Sequence, residues 1–146
     1  MLSTEPQVIA SYADTGLIRY VYYPMLDHGP TRKTYEAAEC AGEQDPEAFW
    51  TIHDLFYEEQ DRLWSADSDL YVDFAQRAGV PDLDQFRQCL DSDEYAAKAI
   101  DLDRARSAAG IRLRPSFSID GQLIPGAQSF QQLSQSIDAA LQGQLP

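Results

Sequence analysis

The chain has 146 residues, 44% hydrophobic and 24% charged, which is the size and make-up of one globular domain with a normal core. Its formal net charge is −13, from 24 acidic and 11 basic residues. That balance argues against nucleic acid and anionic membrane as partners, because both need a cationic face. No apolar run approaches the ~20 residues of a membrane span. The start, Met1 to Pro6, lacks the basic and apolar regions of a signal peptide.

Thr4 and Gln7 stand at capping-box spacing with Pro6 in the first turn. They predict a helix with Val8, Ile9 and Tyr12 on its apolar face and Gly16 at its close. Residues 17–23, Leu-Ile-Arg-Tyr-Val-Tyr-Tyr, predict a strand buried on both faces and stopped by Pro24. Asp27-His28-Gly29-Pro30 is a loop feeding a helix over 31–44. Asp45-Pro46 opens the next helix, with Phe49, Trp50, His53, Phe56 and Tyr57 at helical spacing. Residues 61–67 read as a loop. Helices over 68–78 and 83–91 flank Gly79-Val80-Pro81, and a long one over 92–109 ends at Gly110. Pro115 then precedes an alternating run, Phe117 and Ile119, that ends in an Asp120-Gly121 hairpin turn. Proline cannot donate to a central ladder, so Pro115 marks a strand start, an edge or a functional bend. Phe130, Leu133, Ile137 and Leu141 predict a last amphipathic helix. The order is strand, a long block of helices, then hairpin and helix. An α/β fold of two layers with a helical insertion explains it; an all-helical bundle carrying a hairpin is the rival.

Cys40 and Cys89 are the only cysteines. They read as a structural disulfide, as two buried thiols, or as a redox pair. Neither lies at a helix N-terminus, where the dipole would favour a thiolate. His28 lies beside Asp27, and His53 beside Asp54. A zinc site needs three or four convergent ligands, and no spacing here supplies them, so no metal or cofactor is expected. His53 reads as a core or boundary histidine. The stripe Phe49, Trp50, Phe56, Tyr57, Trp64 reads as core before it reads as a peptide groove. Asp91, Asp93 and Glu94 read as a helix start.

Four stretches, taken together, resemble the DsbA-like thiol:disulfide oxidoreductases. They are residues 14–24; 36–54, with Ala37-Ala38-Glu39-Cys40-Ala41, Phe49-Trp50 and His53-Asp54; 86–97; and 110–126. The resemblance implies a thioredoxin-like sheet of about three strands with an inserted helical domain. Residues 1–30 and 110–146 would form the thioredoxin-like parts and 31–109 the insertion. It implies a cis proline at Pro115 in a substrate-facing loop, with Arg114 where the family often has Thr or Val. It implies thiol-containing or extended polypeptides as partners, and an extracytoplasmic setting. The family's Cys-x-x-C pair and the strand before it have no counterpart here. The chain starts inside the following helix, at about Ser3, and that strand would have been central. The expectation is therefore a truncated relative of DsbA-type oxidoreductases without redox activity. The alternative is a non-catalytic thioredoxin-fold module that binds polypeptide or self-associates through its sheet edges.

Overall fold

The computed structural model describes residues 4–27 and 29–143. Ser3 and His28 lie outside the described residues. The chain divides into two compact units. One runs to Tyr22 and resumes at Arg106; the other is Tyr23–Ala105.

The helical unit holds α2 (Thr31–Gln44), α3 (Pro46–Glu58), a 3₁₀ turn (Gln60–Ser65), α4 (Ser68–Arg77) and α5 (Leu83–Asp91). It also holds most of α6 (Ala96–Ala108). Its helix starts are written in aspartates. Asp45 accepts from the Glu47 N–H at 3.0 Å, Asp67 from Leu70 at 2.9 Å and Asp82 from Gln85 at 2.9 Å. Each cap satisfies an amide that the helix cannot. Ile52, Phe74, Phe86 and Leu90 are fully buried at the centre of the unit, with Phe56 and Tyr71 edge-on to one another. Cys40 in α2 and Cys89 in α5 are joined by a disulfide. Helix α6 starts at Ala96 and not at residue 92. Asp93 takes a left-handed conformation (φ +54°), and its carboxylate pairs with Lys33 at 2.7 Å. That turn delays the helix.

The sheet unit opens with α1 (Glu5–Val8), which runs on as a π-helical turn over Ile9–Ala13. The expected capping box does not form. The Thr4 hydroxyl donates instead to the Gln128 carbonyl at 3.3 Å. Strands β1 (Ser116–Ile119) and β2 (Gln122–Pro125) pair antiparallel, Phe117 opposite Ile124. Asp120 and Gly121 both have positive φ, +46° and +88°, as a tight two-residue hairpin loop requires. The final helix, α7 (Phe130–Leu141), starts with a capping box between Ser129 and Gln132. Val8, Tyr12, Leu133 and Ile137 form the core, with Ile18, Tyr20, Phe117, Ile119 and Phe130 packed on it.

Residues 17–23 are not a strand. The sheet has two strands among the described residues, and 17–23 joins neither. The segment keeps the burial rhythm of a strand. Leu17, Arg19, Val21 and Tyr23 are exposed while Ile18, Tyr20 and Tyr22 are half-buried. The doubly buried environment expected from composition is absent: alternate side chains of the segment face solvent, and no ladder pairs it with β1.

Candidate functional site

Pro115 ends the loop that leaves α6 and immediately precedes β1. The Arg114–Pro115 peptide is cis. The loop is held on three sides. The Ser116 hydroxyl donates to the Leu113 carbonyl at 2.6 Å. The Gly126 N–H donates to the Pro115 carbonyl at 2.9 Å. The Arg112 guanidinium donates to the Ser107 carbonyl at 2.7 Å, back in α6. Pro115 thus sits at a strand start, with no N–H for a ladder and with its carbonyl tied to the far end of the hairpin.

Beside it is a small cleft lined by Thr4, Glu5, Pro115, Phe117, Ala127 and Gln128. The Gln128 amide donates to the Pro125 and Gly126 carbonyls, at 3.2 and 3.4 Å. Glu5 is buried, 6% exposed, and its Oε1 has no hydrogen-bond partner. Sequence reasoning singled out Arg114 and Pro115 and missed Glu5, Thr4 and Gln128. A signal for Glu5 existed. It stands three and seven residues before Val8 and Tyr12, on the face that those residues bury, so a carboxylate there is placed against the apolar layer.

Arg114 is exposed and does not line the cleft. The two cysteines are not in this unit. Cys40 is 1% and Cys89 6% exposed, and both sulfurs are consumed in their mutual bond, with Cα atoms 5.9 Å apart. Of the three readings left open for them, the bond rules out two buried free thiols.

His53 is buried, as its place among aromatic residues suggested, against the rings of Phe49, Trp50 and Tyr57. Its Nδ1 lies 3.0 Å from Asp54. The aromatic stripe divides. Phe56 is core, but Trp64 is 64% exposed. Glu43, Cys89 and Glu94 bring three potential ligand atoms together. The Cys89 sulfur is already bonded to Cys40, which leaves two exposed carboxylates. No helix among the described residues is long and apolar enough to cross a membrane.

Buried and paired carboxylates of the helical unit titrate in opposite directions. Hydrogen bonds from Arg77 and Arg62 hold Glu59 down at about 2. Burial pushes Glu36 up, against the pull of Lys33 and Arg32 beside it.

Comparisons with known proteins place this geometry in a family. The sequence model of a family described as thioredoxin matches residues 2–139. The Na(+)/H(+) antiporter NhaA 1 of Salinispora arenicola is 34% identical over 143 residues, which are 95% of this chain and 21% of the antiporter. Disulfide bond formation protein D of Bacillus subtilis is 20% identical over 142 residues, 94% of this chain and 64% of that protein. The chain therefore spans only part of the curated relatives it matches. Among solved structures, oxidised BdbD from Bacillus subtilis superposes with a TM-score of 0.81 at 19% identity, over 94% of this chain and 76% of that one. Chlamydia trachomatis DsbA superposes at 0.73 and 16% identity, over 96% and 75%. The helical insertion between two thioredoxin-like parts, read first from the order of elements, is the architecture of these DsbA-type proteins. The chain belongs to the thioredoxin family.

Proposed function

We propose that this chain is a DsbA-fold relative whose own residues carry no disulfide-exchange chemistry, and that its scaffold serves to hold extended polypeptide along the Arg114–Pro115 loop. One observation carries the first half. Exchange needs a thiolate that can reach a substrate sulfur. Both cysteines of this chain are bonded to each other and buried in the helical unit, while Pro115 belongs to the other unit. Cys40 lies within α2 and Cys89 within α5, so neither gains the thiolate stabilisation of a helix N-terminus.

The second half is supported by the proline turn, the cleft beside it and the edge of β1 that pairs with no strand among the described residues. An extended segment lying along that edge would gain main-chain hydrogen bonds without any redox step. An insulin-reduction assay tests the first half. The chain is expected to precipitate insulin no faster than dithiothreitol alone, and turnover above that background overturns it. Fluorescence anisotropy with an extended unstructured peptide tests the second. Binding is expected, and Pro115→Ala is expected to weaken it.

The open edge of β1 favours a second reading, in which a copy of the chain docks there. Light scattering decides it. A dimer gives about twice the 16.4 kDa of one chain; a single 16.4 kDa species at millimolar concentration removes it.

A further inference from the structure

The cleft beside Pro115 contains one charged side chain, Glu5. It is more than nine-tenths buried, and Oε1 finds no donor among the described residues. The neighbours that could donate are engaged elsewhere. The Thr4 hydroxyl goes to the Gln128 carbonyl, and the Gln128 amide goes to the carbonyls of Pro125 and Gly126. None of the four arginines of the sheet unit, Arg19, Arg106, Arg112 and Arg114, lines the cleft. A buried carboxylate without a partner is unfavourable, and natural folds keep such groups satisfied. A donor from outside the described residues would relieve that cost. The cleft is small and opens beside Pro115 and Phe117. It has room for the tip of a side chain and not for a cofactor.

We propose that Glu5 is a recognition carboxylate, which takes the ammonium of a lysine or the guanidinium of an arginine from an extended polypeptide lying against Pro115. This rests on the polypeptide-binding reading above and adds a specificity to it. A neutral N–H would fill the orphan acceptor. A cation also neutralises the buried charge, and charge-assisted hydrogen bonds are the stronger kind. The geometry thus selects basic segments at one position of the bound strand.

The helical unit is acidic and attracts cations without any cleft, so the experiment must separate the two sources. Two fluorescein-labelled extended peptides are compared by anisotropy, identical except for one central lysine that is acetylated in the second. The wild-type chain is expected to bind the lysine peptide about tenfold more tightly, the scale of one charge-assisted hydrogen bond. Glu5→Gln is expected to abolish the difference between the two peptides. A preference that persists in Glu5→Gln overturns the proposal and assigns the effect to the acidic helical unit. Equal binding of both peptides by the wild type also overturns it, while leaving the polypeptide-binding reading intact. If neither peptide binds, both fall. Circular dichroism reports whether Glu5→Gln folds. If it does not, the Glu5 carboxyl ¹³C resonance of the wild type is followed instead. A shift on adding the lysine peptide, absent with the acetylated one, supports the proposal, and an unmoved resonance overturns it.

Discussion

Among the described residues, the buried cluster of the helical unit has fifteen members and two of its helices are linked by a disulfide, whereas the cluster of the sheet unit has four and one edge of β1 pairs with no strand. Charge divides the same way. The sheet unit has four acidic residues (Glu5, Asp14, Asp120, Asp138) and four basic ones (Arg19, Arg106, Arg112, Arg114). The remaining 20 acidic and 7 basic residues lie in the helical unit, which therefore holds the entire net charge of −13. The contrast separates two jobs. Burial and cross-linking make one unit a closed structural body. The other has the smaller buried cluster and leaves one carboxylate oxygen, Glu5 Oε1, buried without a partner among the described residues.

Breaking the disulfide tests that division hardest. In the chain-entropy model a bridge across 49 residues contributes about 4 kcal/mol. Cys40→Ala with Cys89→Ala is expected to lower the unfolding free energy by about that much, read from denaturant midpoints, with the loss confined to amides of the helical unit in hydrogen exchange. Protection lost equally in both units would show that the division is false. Leu133→Ala comes next. It deletes one of four core side chains of the sheet unit and is expected to cost about 3 kcal/mol there, with the helical unit still protected. Gly121→Ala strains the hairpin at φ +88° and is expected to cost about 1 kcal/mol.

The smallest effect is electrostatic, and carboxyl NMR titration reads it. Glu59 is ordinarily a group of pKa ~4.3, and its two arginines hold it at about 2 in the fold. Its contribution is therefore complete above the ordinary value and disappears as pH falls toward about 2. Glu36 runs the other way. Its raised pKa means that the fold disfavours its charge, so protonation on acidification relieves the folded state. Glu36 is expected to titrate well above Glu59, and the reverse order would contradict this account of the two ion-pair clusters.

What could be read in the sequence follows from the same contrast. Helix starts at Asp45, the hairpin at Asp120-Gly121 and the helical insertion were legible, because local chemistry decides them. The 17–23 segment was not. Its side chains specify strand periodicity, but only a neighbouring ladder can make it a strand. Pro115 was legible as a special position; for Glu5 the helical spacing to Val8 and Tyr12 marked the buried face but not the cleft. The cleft is lined by residues more than a hundred positions away, Pro115 and Gln128 among them. The disulfide was one of three open readings, because pairing depends on how α2 and α5 approach one another.

The bare flank of β1 lies in the electrically balanced half of the polypeptide. The charges of the sheet unit sum to zero, so the charge repulsion between two copies of the chain arises from the helical unit. That repulsion reaches only about 8 Å at physiological ionic strength. The surplus negative charge that disfavours close approach of two copies therefore belongs to one half of the polypeptide, and the unpaired strand edge to the other.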